Sequence, residues 1–252
     1  MTPARPPRYA GHSYFADAGR LRASVEAFIE DASQPALSGS LCALVVPCGT
    51  HGEIGPLVGH AYKLLLGLPT SALPLLLLAP ATAQDGAAAI LCDPSLAYAT
   101  PLGQMPLDAA FLAHLARAGL SLIRQPDDDP HIEVHLPFLQ VALGDEPFVP
   151  LRVSAGADLA ASAWQAVLAQ VRLVIAIANL PDAHARDGLL RLDVRAIAQS
   201  RRGLFAGRAN RPASADRAVL ALAVRLAGAK GANRAAMLAC DGSRAVLALY
   251  RA

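Results

Sequence analysis

Three short apolar runs, residues 41–46, 75–78 and 173–178, constrain this chain more than any other feature in it. Each is apolar on both faces, too short for a buried helix, and followed by a chain breaker or turn residue. Pro47 and Gly49 follow the first, Pro80 the second and Asn179 the third. Strands buried on both faces read as continuous apolar runs rather than as alternations. Between the first two runs, apolar spacing predicts a helix over 57–66. Strand, helix, strand is the unit of a parallel sheet, and ligands of such sheets sit beyond the carboxyl ends of the strands. The expectation is an α/β fold with a central, largely parallel sheet flanked by helices. Its chemistry belongs in the loops that start at Pro47 and Pro80.

Other elements follow from local patterns. Leu21, Val25, Phe28 and Ile29 predict an amphipathic helix over 16–32. Phe111, Leu112 and Leu115 predict another over 108–118, and residues 131–143 read as helical, continuing past Pro137. Ser214 can cap a helix running to about residue 227. Runs at 235–240 and 245–250, joined by Asp241-Gly242-Ser243, carry a hairpin signal. With no repeat, linker or low-complexity tract, the 252 residues suit a single domain over 1–252.

Composition excludes several classes. The chain is 54% hydrophobic and 17% charged, enough apolar surface to fold. Its densest apolar run, 73–80, contains Pro74 and falls far short of the roughly 20 residues of a spanning helix, so no membrane partner is expected. Arg5 and Arg8 are not followed by an apolar stretch, which argues against a signal peptide. Cys42, Cys48, Cys92 and Cys240 form no C-x-x-C pair, which fits reduced thiols in the cytoplasm better than a disulfide framework or zinc ribbon. Net charge is +2, and Arg201, Arg202, Arg208 and Arg211 around Phe205 read as a solvated loop, so no nucleic acid is expected. The apolar excess permits a homodimer without requiring one.

Several segments, in order, resemble the Memo family, also labelled AmmeMemoRadiSam system protein B. Arg5-x-Pro7-x-x-Ala10-Gly11-x-x-Tyr14 is similar to the family's opening, and Pro47-Cys48-Gly49-Thr50 with Gly55 and Ala61-Tyr62 to its P-H-A-G-Y loop and following helix. Ala79-Pro80-Ala81-Thr82 stands where the family has G-P-S-H, and Thr100-Pro101-Leu102-Gly103 with Asp108 resembles T-P-L-G-x-v-x-v-D. Residues 132–140, Ile-Glu-Val-His-Leu-Pro-Phe-Leu-Gln, resemble the end of the family's E-H-S-x-E-x-x-L-P-F-L-Q, and Val149-Pro150-Leu151 its next strand. The resemblance implies a fold similar to the class III extradiol dioxygenases, with iron or copper held near the strand ends by two histidines and a late cysteine. Carried over residue by residue, those ligand positions are Cys48, Thr82 and Ala206. The E-H-S triplet reads Asp129-Pro130-His131, and of the candidate ligands only His184 stands where the family would put it.

A redox metal needs about three strong ligands with open positions left for substrate. Thr82 is a poor ligand and Ala206 none. The leading expectation is therefore a pseudoenzyme that needs no cofactor and acts by binding a small molecule or an unknown protein partner. A rebuilt metal site is the alternative, with iron, copper or zinc held by Cys48, His51, His131 and His184 in a dioxygenase-like oxidoreductase. In a catalytic reading Cys48 is a nucleophile, its pKa lowered by the nearby helix amino end, with His184, His51 or His131 as candidate bases. No third group that would orient the base can be named from the sequence. Glu133 and His135 read as ordinary capping and hydrogen-bonding residues near Pro137.

Overall fold

The structure is a computed structural model and describes residues 4–33, 37–69, 71–82, 90–158, 164, 170–180, 214–242 and 244–252. Its centre is an eight-stranded sheet. The three apolar runs become β1 (Ser40–Val46), β2 (Leu75–Pro80) and, late in the chain, β8 (Leu173–Ile177). From Cys42 to the end of β1, and throughout β2 and β8, every residue is buried, as strands covered on both faces must be. With β7 (Phe148–Val153) they form a parallel core in the order β7-β2-β8-β1. Its flanks are β3 (Ile90–Cys92), antiparallel to β7, β6 (Leu122–Arg124), parallel to β3, and the antiparallel hairpin β9 (Arg234–Cys240) and β10 (Ala245–Arg251) beside β1. The sheet is thus largely parallel, with antiparallel additions toward both edges.

Helices cover it. α1 (Ala18–Asp31) starts at Asp17, whose carboxylate accepts the Arg20 N–H at 2.8 Å, and buries Leu21, Val25 and Ile29. The helix α2 (His51–Lys63) begins six residues before the predicted 57, because Glu53 accepts the Thr50 N–H and hydroxyl and so fixes the first turn. Pro56 lies inside α2 rather than at its start. A Cβ on Gly59 would stand 2.1 Å from the Phe28 carbonyl oxygen, and one on Gly55 2.4 Å from the Phe28 ring. These two glycines let α1 and α2 approach closely and seat Phe28 between them. α3 (Ala109–Arg117) is capped by Asp108, α4 (Pro130–Glu133) by Asp129 and α6 (Ala215–Ala229) by Ser214. The predicted helix over 131–143 is in fact α4 followed by α5 (Leu136–Leu143), broken at Val134 and His135 ahead of Pro137.

The Thr100–Gly103 motif is a hairpin turn. It joins β4 (Ala97–Thr100) to β5 (Gly103–Pro106), with Gly103 at φ 142°, a conformation suited to glycine. Thr100 donates its hydroxyl to Gln140 Oε1 at 2.5 Å, and Gln140 donates to Asp145 at 2.8 Å. The two most distinctive motifs of the sequence therefore hold each other. No helix among the described residues is long and apolar enough to cross a membrane.

Candidate functional site

The site begins where β1 ends. Pro47 to Thr50 lead from that strand into α2, and Pro47 and Cys48 are tied to distant parts of the chain. Cys48 is half-buried, and its N–H donates to Asn179 Oδ1 at 3.3 Å, just beyond β8. Asn179 in turn donates its N–H to Asp216 Oδ1, in the first turn of α6, at 2.8 Å. Burial pushes the Cys48 thiol up to about 12, reinforced by Asp216 and Glu53. This reverses the expected lowering: desolvation outweighs the helix amino end, so the thiolate is disfavoured.

Two histidines beneath the loop are structural in their contacts. His135 is fully buried; its Nε2 donates to the Pro47 carbonyl at 3.2 Å, which fixes the tautomer and makes Nδ1 the acceptor of the Tyr62 hydroxyl at 2.9 Å. His51 packs between Tyr14 and Phe138 and donates Nε2–H to the Val134 carbonyl at 2.7 Å. Burial pushes His135 down to about 3 and His51 down to about 4, so both are neutral at pH 7. The unfolded chain takes up these protons near pH 6.5, whereas the folded chain resists them until pH 3–4. Their contribution to stability is therefore complete above the unfolded value and is lost as pH falls toward the folded values. Urea unfolding midpoints are expected to drop between about pH 6.5 and 4.5, with a shallower drop in His135→Gln. An unchanged slope in that variant would show that His135 is not the residue responsible.

His131, in contrast, has an orienting partner. Asp129 accepts the His131 N–H at 2.9 Å, and the same carboxylate oxygen lies against Nδ1 of the ring. Burial lowers the His131 pKa, opposed by Asp216. Asp129, which caps α4 two residues before His131, is the neighbour placed against that ring, and the sequence reading did not name it in that position.

The short helix α4 is anchored to the amino-terminal segment through Glu133. This buried carboxylate accepts from Arg5, from the Arg8 N–H at 3.2 Å, from the Tyr9 N–H at 2.8 Å and from the Tyr14 hydroxyl at 2.5 Å. Arg5 also donates Nε–H to the Asp127 carbonyl at 2.7 Å and lies over the Tyr98 ring. Arg5, Tyr14, Thr100, Glu133 and Gln140, the segments carrying the resemblance, thus form the buried polar frame of the molecule.

The Memo-like protein family model matches residues 5–174 of this chain. The chain belongs to the Memo family. The match spans the Arg5–Glu133 frame, the Thr100–Gln140 pair and the sheet from β1 into β8. No curated protein matches the chain. Whether the residues present suit the Memo-family metal can be judged from their donors. Among the described residues no group of three His, Cys, Asp or Glu is placed to hold a metal ion. A cysteine stands at the first histidine position, Thr82 follows β2 as an exposed residue, both nitrogens of His135 are engaged, and His51 Nε2 is held by a carbonyl. These residues do not fit the metal. Cys48, His51 and His131 are neighbours of one loop system without converging as ligands. His184 and Ala206 lie outside the described residues, as do the arginines at 201, 202, 208 and 211.

Proposed function

We propose that this chain is a metal-free member of the Memo family that works by binding, either a small molecule or a partner protein, rather than by oxygen chemistry. The observation that carries this reading is the state of the ligand positions. Cys48 stands where the family has a histidine, and exposed Thr82 stands at the second histidine position, so both ligand histidines that fall on described residues are replaced. Retention of the polar frame beside replacement of the ligands is the pattern of a scaffold kept after its chemistry was lost. All four cysteines are free, which suits a reducing compartment, the cytoplasm.

The test is metal content by elemental analysis of protein purified without chelator, beside a Cys48→Ala/His184→Ala double variant. The expected result is no stoichiometric metal in either sample. Iron, copper or zinc near one equivalent in the wild type, lost in the variant, would overturn the reading in favour of a rebuilt oxidoreductase site.

A further inference from the structure

A cavity of about 580 Å³ opens between the amino-terminal segment, α1 and the first turn of α2. It is within the usual size range of small-molecule sites. Its inner wall is aromatic, with Phe28 stacked on Phe138 at 6.2 Å and His51 packed on Tyr14 at 5.3 Å. The polar groups of the wall divide sharply. Tyr14 already donates its hydroxyl to Glu133, Thr50 donates to Glu53, and the Asp17 carboxylate caps α1. The cavity is also lined by residues with groups able to donate: His12, Ser24, Gly52 in the first turn of α2, and Arg20.

Arg20 matters most. Its guanidinium lies over the Phe15 ring at 4.4 Å, and among the described residues it has no carboxylate partner. A guanidinium held over an aromatic ring can still offer its N–H donors to a planar anion. A Cβ added at Gly52 would meet nothing within 4 Å, so backbone can be approached closely on the facing side. We propose that this cavity binds a small aromatic carboxylate, its ring against Phe28 and its carboxylate on Arg20. The proposal rests on the binding-protein reading above and names the ligand class for it.

Isothermal titration with benzoate, and with benzyl alcohol as the uncharged counterpart, tests it on the full chain. Benzoate is expected to bind saturably to the wild type and about tenfold or more weakly to Arg20→Gln, the usual loss for a hydrogen bond to a charged group. Benzyl alcohol is expected to bind both proteins alike. Arg20 is exposed on α1, so the variant should keep the wild-type circular dichroism spectrum. Absence of saturable benzoate binding, or binding that Arg20→Gln leaves unchanged, overturns the proposal. Neither outcome touches the metal-free reading, which stands or falls on the metal content of the same sample.

Discussion

Glu133→Ala is expected to destabilise the protein by about 3–5 kcal/mol, the cost of leaving one partner of a buried ion pair without the other. Glu133 is fully buried and Arg5 almost so. Removing the carboxylate takes from the Arg5 guanidinium its ion-pair partner, leaving it the Asp127 and Asp129 carbonyls, and strands two backbone N–H groups and the Tyr14 hydroxyl. The loss should appear as a lowered urea midpoint and as faster trypsin cleavage after Arg8, since the freed amino-terminal segment becomes accessible. Glu133→Gln keeps the shape but not the charge, and should fall between the two. Replacing both partners with apolar residues, Arg5→Met with Glu133→Leu, should cost less than Glu133→Ala alone, because no unpaired charge remains. A Glu133→Ala protein as stable as the wild type would show that this carboxylate does not hold the segment in place.

Cys48 should be nearly inert to thiol reagents in the native state. With its pKa pushed up to about 12 by burial, the thiolate fraction near neutral pH is lower by about a thousandfold than for a thiol at its ordinary value of 9.0. Alkylation with iodoacetamide followed by peptide mapping should modify exposed Cys240 first. Cys48 should be modified at a comparable rate only in denaturant, where burial no longer acts. Rapid native labelling of Cys48 would instead support the nucleophile reading and weaken the claim that the site has lost its chemistry.

How much of this was legible beforehand depends on which force set each feature. The apolar runs of β1, β2 and β8 declared themselves because burial on both faces leaves a sequence no alternative. The strands β3 and β6 at one side of the sheet, three residues each, carry too little pattern to be seen. The β4–β5 hairpin hid inside a motif read for its resemblance, although the two-residue Pro101-Leu102 connection is a turn in its own right. The start of α2 lies before the predicted 57 because that expectation followed apolar spacing alone, whereas Thr50 and Glu53 set the first turn. At the site, the identity of the replaced ligand positions could be read directly. The direction of the Cys48 shift could not, since it is a contest between a helix end and desolvation that only packing decides. Nor could the Arg5–Glu133 contact, which joins residues 128 positions apart.

The order of strands has a consequence for synthesis. β1 is made early, yet its neighbours in the sheet are β8 and β10, both from the last third of the chain. A ribosome therefore exposes an uncharged, seven-residue strand long before anything exists to pair with it. The nascent protein must stay shielded through most of its translation, and the sheet closes late, through contacts distant in sequence that make for slow folding. Loss of even the final strand would leave β1 as an open edge, a ready template for self-association.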